Sequence, residues 1–322
     1  MNAWRQPGCW LTWLGLLAGG LAVVVVRDNT VRELAFTLLM FAALASSLNI
    51  MIGYTGYVNF GHIVFFGLGG YTGFYLISQH GWSLYPAVLV GGLAAAALAG
   101  FLGSAILRLR GAYFALATIG INEAARAFVN NFTPFGGPTG MFVNFSAYAE
   151  YGGAAQALWL TYALLLTITI LTLILSGMVK YSRFGLGLMG IREDEDAAVV
   201  MGVSAPRFKT AAYALSALAP GMVGTLYFFK NGNVEPGDAF RLNMSIEMLV
   251  MVMLGGQGTV LGPVLGAVTY ERLRGYLLTS PLFKNLHLAF AGLALLLIVL
   301  FVPTGVVGWL RARFPRLRRL LA

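Results

Sequence analysis

The residues with chemistry to offer are few, and their densest cluster lies between Lys180 and Thr210, where the chain reads KYSRFGLGLMGIREDEDAAVVMGVSAPRFKT. Its middle carries Arg192, Glu193, Asp194, Glu195 and Asp196, then Ala197, Ala198 and, after three intervening residues, Gly202. An acidic first turn suits the positive end of a helix dipole, and a glycine ends a helix easily, so the spacing predicts a short helix from Asp194 to Met201. Small alanines would let that helix seat deeply against a partner. The glycine lets the chain turn sharply, and the acids can pair with basic groups. A solvated loop of mixed charge is the competing reading.

Other candidates lie inside apolar stretches, where an ionisable group is costly and therefore calls for a use. Glu123 and Arg126 are three apart on one helix and can neutralise one another. Two uses fit them: a structural ion pair near the outer end of a span, or the lining of a translocation path that meets the amino and carboxylate groups of a zwitterion. Glu247 stands early in a short span, facing water at an outer vestibule or pairing with Arg241. Asn59, His62 and Asn122 are further path candidates, and each can equally satisfy backbone freed by helix breaks. With histidines only at 62, 80 and 287 and no second ligand at metal-site spacing, no metal is expected. The chain lacks G-x-x-x-x-G-K-[ST], H-E-x-x-H and G-x-S-x-G, so neither ATP hydrolysis nor a lipase or protease site is expected, and no catalytic residue is assigned. Its glycine clusters lack the strand-then-helix setting of a dinucleotide site.

The elements that must position these residues follow from composition. With 322 residues, 58% hydrophobic and 10% charged, and a mean hydropathy of +0.78, there is too little polar surface to cover a soluble globule. Lipid must be the solvent, and the expected fold class is all-α, a polytopic transmembrane helical bundle forming a single domain. The net charge of +9 and the basic tail at Arg311, Arg313, Arg316, Arg318 and Arg319 mark a membrane face, and no nucleic acid is expected. Cys9 is the lone cysteine, so no internal disulfide is possible. Leu11 to Val26 ends on Arg27 without a small-residue cleavage site and reads as a retained first span.

A hydrocarbon core of about 30 Å takes about 20 helical residues. On that measure the spans are 10–26, 34–52, 57–78, 84–107, 112–131, 158–178, 211–229, 244–256, 259–278 and 287–303, about ten in all, which puts both termini on one side. Thirteen of the 21 Lys and Arg then fall in the inner segments and seven in the outer ones, so both termini are expected to be cytoplasmic. Gly69 and Gly73, and Gly92, Ala96 and Gly100, recur at intervals that let helices pack closely in lipid. The clusters Gly53 to Gly61 and Gly255 to Pro263 place helix breakers at membrane depth, which is tolerated only inside protein or along a wet cavity.

The Asp196-Ala197-Ala198-x3-Gly202 pattern resembles the coupling loop by which permeases of ABC importers dock on their ATPases. The likeness extends along the chain. Ile191 to Tyr227, Leu109 to Met141, Asn59 to Gly73 and Met253 to Ala267 are similar, in the same order, to blocks of the LivM-type permeases. The chain departs from that pattern at Asp196, where the importer consensus has Glu, and at Pro134 and Phe135, inserted before Gly136. The resemblance implies a subunit of an importer for branched-chain or related amino acids in a bacterial-type inner membrane. It implies as partners a second related permease, two ATP-binding subunits that hold the nucleotide, and a periplasmic solute-binding protein. Arg192 to Ala198 and Gly202 would then form the contact to the ATPase. An ion-gradient-driven transporter or channel, coupled through intramembrane carboxylates, is the alternative.

Overall fold

The computed structural model describes residues 28–143 and 145–279, with shorter pieces between 14 and 24 and single positions at 293, 305, 307, 308 and 313. The expected span 287–303, apart from position 293, and most of the arginine tail lie outside the described residues, and of the expected span 10–26 the described pieces are helical. The other eight expected spans each correspond to a helix.

The first, α1 (Asn29–Thr55), is fixed at both ends by local chemistry. The Asp28 carboxylate accepts the amides of Thr30 (2.7 Å) and Val31 (3.4 Å), and Gly56, at φ +77°, stops the helix in left-handed backbone. Every residue from Leu39 to Thr55 is buried, so α1 is the axis of the bundle. After it come α2 (Ile63–His80), α3 (Leu84–Ile106), α4 (Ala112–Asn131) and α5 (Ala154–Lys180), of which α5 packs against it. Two short helices, α6 (Arg183–Glu193) and α7 (Glu195–Val200), lead into α8 (Ala205–Asn231). The chain continues through α9 (Pro236–Ala239), α10 (Leu242–Gly255) and α11 (Gly262–Thr279). The fold is all-α apart from a two-residue ribbon in which β1 (Met141–Phe142) pairs antiparallel with β2 (Asn233–Val234). Of the described helices, α1, α3, α5 and α8 are long and apolar enough to cross a membrane.

Helices α2, α3 and α8 meet backbone to backbone. A Cβ on Gly221 would lie 2.5 Å from the Gly91 carbonyl, and one on Gly91 would lie 2.7 Å from the Gly69 carbonyl. Only hydrogen fits there, and dispersion between the touching backbones takes the place that larger side chains hold in soluble cores. Thr225 seals the contact by donating to the carbonyls of Gly221 (3.1 Å) and Gly69 (3.3 Å). Gly69, Gly73 and Gly92 thus pack as their spacing predicts, whereas Gly100 faces open space.

The connections sort onto two ends. At one end Lys230 from the close of α8 bridges Glu33 from the start of α1 at 2.6 Å, and Tyr148 donates to the Phe229 carbonyl at 2.7 Å. At the other end lie the close of α1, the 107–111 turn and the α6–α7 segment.

Candidate functional site

The short helix forms one residue inside its expected limits. Asp194 is its N-cap, accepting the amides of Asp196 (2.9 Å) and Ala197 (3.0 Å). The helix spans Glu195 to Val200, and Gly202, at φ +90°, turns the chain away. Sequence spacing located this element well.

Glu195 turns toward its own chain, and Asp196, 79% exposed, is gripped there from outside. Glu195 bonds the Lys209 ammonium at 2.8 Å and accepts the Tyr57 hydroxyl at 2.8 Å. Lys209 is 2% exposed, and its other two protons reach the Leu107 carbonyl (2.8 Å) and Tyr57 Oη (3.0 Å). All three ammonium donors are therefore used, which is the condition for burying a lysine. Asp196 takes a two-pronged grip from Arg110, at 2.8 and 3.2 Å, and the same arginine stands 3.6 Å from Glu195. Burial by itself would raise the Glu195 carboxyl, but the hydrogen bonds from Lys209 and Tyr57 and the charges of Lys209 and Arg110 hold it below the usual range. The hydrogen bond and charge of Arg110 lower Asp196 as well.

Ala198 is buried against Ile191 and Ala205, so it seats the helix on its own chain; it is not the surface offered to a partner. Asp194, Asp196, Ala197, Val199, Val200 and Met201 all face outward, and the apolar ones among them gather at the end of the helix, Val200 and Met201 being 86% and 84% exposed. Apolar side chains so exposed, on a helix fastened from behind by ion pairs, make a contact surface. Sequence reasoning missed this tip because the stretch advertises charge. Arg110, Lys209 and Tyr57 carried no local signal, since their partners lie 86, 14 and 138 residues away in the chain.

Arg192, expected among the partner-facing residues, is exposed, and its guanidinium turns back to the close of α1. Its guanidinium donates to the Gly53 carbonyl at 2.7 Å, capping the last turn of α1, where a cation is favoured. It also lies against Gly258, where a Cβ would approach Arg192 Nη1 to 3.2 Å. Asn49 holds the same second break, accepting the Gly258 amide (2.9 Å) and donating to the Thr259 carbonyl (2.9 Å). One side chain next to α7 therefore touches both glycine-rich breaks. Glu193 stays exposed.

The first break folds back into the bundle. After Gly56 the chain returns along α1 until His62 reaches Ser47 (2.9 Å), about 12 Å back along that helix at 1.5 Å per residue. That is why α2 begins at Ile63, six residues after the expected start of its span. The returning backbone is satisfied by side chains. The Gly61 amide meets Asn59 Oδ1 (2.9 Å), the Phe60 amide Thr118 Oγ1 (3.2 Å) and the Ile63 amide Ser245 Oγ (3.1 Å). Asn122 donates to the Phe240 carbonyl at 3.0 Å, while its own side-chain oxygen has no partner. Asn59, His62 and Asn122 are all fully buried.

Glu123 and Arg126 do pair, at 3.8 Å, but on the open side of α4, 59% and 47% exposed. This helix buries only the stripe Phe114, Thr118, Asn122, Ala125 and Val129, leaving Tyr113, Leu116 and Phe128 outward with the ion pair. Glu247 is buried and stands 3.9 Å from Arg274, which also bonds Glu271 at 3.2 Å. The expected alternative partner, Arg241, is replaced because α10 packs side by side with α11, which carries Arg274 one turn after Glu271.

Comparison with known proteins agrees with this geometry. A family model described as branched-chain amino acid transport system, permease component, matches residues 30–300. The LivM permease of the high-affinity branched-chain amino acid transport system of Escherichia coli is 28% identical over 89% of this chain and 72% of its own length. The LivH permease of the same organism is 24% identical over 83% of this chain and 91% of its own. A probable LivM of Methanocaldococcus jannaschii is 23% identical over 83% and 90%. No solved structure matches. A match over most of the chain, joined to apolar spanning helices and a short helix with an outward apolar tip, establishes that the chain belongs to the branched-chain amino acid transport permease family.

Proposed function

We propose that this chain is one permease subunit of an ABC importer for branched-chain or closely related amino acids, multi-pass in a bacterial-type inner membrane, with its termini and α6–α7 on the cytoplasmic side. Its partners are a second related permease, two ATP-binding subunits that bind and hydrolyse the nucleotide, and a periplasmic solute-binding protein. The carrying observation is the apolar tip at Val199 to Met201, mounted on a helix whose acids are held by Lys209 and Arg110. Such a helix is stiffly attached and offers an ATPase cleft a greasy knob.

Motion of the tip travels by a stated route. Helix α6 runs directly into α7, so a displacement of the tip carries Arg192 with it, and Arg192 holds the ends of both breaks through Gly53 and Gly258. The solute path runs along the open face of α4 toward the second permease. A face bearing Glu123 and Arg126 is too polar to spend its life in lipid. Specificity rests with the binding protein.

The test is reconstitution of the chain with its candidate ATP-binding subunits, second permease and binding protein. Branched-chain amino acid should stimulate ATP hydrolysis, and Val200→Asp should lower that stimulation about tenfold or more, as loss of an interface anchor does. Uptake by this chain alone, driven by an ion gradient, would instead establish the secondary-transporter reading.

A further inference from the structure

Beside the anchored helix is a cavity of about 700 Å³ between the close of α3 and the first turns of α8. Its walls are mostly small or apolar: Gly103, Ser104, Leu107, Thr210, Ala211 and Ala214. Small side chains on both helices leave this slot unfilled. Buried Lys209 and half-buried Glu195 line it as well, and Arg108, Arg110 and Arg207 contribute from exposed positions.

The charges do not balance. Arg110 is committed to Asp196 and Glu195, and Lys209 to Glu195. Arg108 and Arg207 have no acidic partner among the described residues, so two positive charges stand over an apolar slot. A guanidinium grips phosphate oxygens in two-pronged fashion, and basic pockets between membrane helices on the cytoplasmic side suit anionic headgroups. The outer side of α3 leading to the slot bears Phe101, 75% exposed, and Tyr113 projects nearby from the start of α4.

We propose that this slot binds one anionic phospholipid of the inner leaflet, its phosphate between Arg108 and Arg207 and its acyl chains along α3 and α8. The inference rests on the reading that this end of the bundle is cytoplasmic. Because the slot shares Glu195 and Lys209 with the anchor of α7, the bound lipid stiffens the mounting of the coupling helix.

Native mass spectrometry of the full chain tests this, with phosphatidylglycerol, phosphatidylcholine of the same acyl chains, and glycerol 1-phosphate as the headgroup alone. Phosphatidylglycerol should be retained in preference to the other two. The double variant Arg108→Gln with Arg207→Gln should lower that retention at least fivefold, while Arg183→Gln with Arg313→Gln, an equal loss of charge elsewhere, should not. Equal retention of both lipids, equal loss in both double variants, or binding of glycerol 1-phosphate as strong as that of the lipid overturns the proposal. So does loss of the bound lipid when the ATP-binding subunits assemble, which would make the slot a protein contact. Solute-stimulated ATP hydrolysis in the reconstituted assembly reports separately on the importer reading, so the two can fail independently.

Discussion

At the scale of single residues, the buried pair Lys209–Glu195 decides how firmly α7 is held. Removing one partner of a buried pair leaves the other charge unmatched, which costs about 3–5 kcal/mol, whereas replacing both by apolar groups is often close to neutral. Lys209→Met should therefore lower the Tm of the detergent-solubilised protein by several degrees. The further change Glu195→Leu should restore most of that loss. A double variant no more stable than the single would show that the pair is not coupled. The same carboxyls give a pH dependence of definite sign. Glu195 and Asp196 titrate below their ordinary range, so the folded chain takes up their protons less readily than the unfolded one. Their stabilisation is complete above about pH 5 and disappears as the pH falls through the lowered values. The Tm difference between wild type and Glu195→Gln should be constant near neutrality and shrink in acid; a difference that widened in acid would contradict the assignment.

At the scale of elements, α7 is a six-residue helix, too short to persist without its cap and its seat. Asp194→Ala removes two amide partners and should cost about 1 kcal/mol of local stability, read as faster hydrogen exchange at Asp196 and Ala197 with the transmembrane helices unchanged. Ala198→Glu forces a charge into the contact with Ile191 and Ala205. It should loosen the whole segment from Arg183 to Ala205, whereas Val200→Asp should leave exchange there untouched while reducing coupled ATP hydrolysis. Equal exchange in both variants would mean that the inner and outer faces of α7 have been misassigned. The contrast matters because a loss of function at Ala198 would by itself report unfolding of the mount and say nothing about docking.

At the scale of the whole molecule, basic residues are denser at one end of the bundle, although Arg32 and Lys230 meet Glu33 at the other. Arg108, Arg110, Lys180, Arg183, Arg192, Arg207 and Lys209 share the end that bears α7, while the 132–153 segment at the opposite end has no basic residue at all. Labelling fixes which end faces the cytoplasm. In a Cys9→Ala background, Val200→Cys should react with an impermeant maleimide only in inside-out vesicles, and Glu150→Cys only in intact cells. The reverse pattern would leave α7 on the wrong side of the membrane for any ATP-binding subunit.

The sequence by itself determined the lipid setting, the helical class, the limits of eight described helices to within six residues, and the existence and glycine stop of α7. These follow from composition, apolar run length, and the local preferences of Asp194, Gly56 and Gly202, none of which needs a distant partner. It also placed Glu123 beside Arg126, a relation fixed by helical spacing. Only the tertiary structure decided that Glu195 and Asp196 bind Lys209 and Arg110, that Arg192 joins Gly53 to Gly258, and that Glu247 meets Arg274. It likewise turned Ala198 inward and left Val200 and Met201 as the tip. The physical reason is that a charge shows its type in sequence but not its partner. Ion pairs form between whichever ends of helices the packing brings together, and backbone contact at glycines such as Gly91 and Gly221 is what sets that packing.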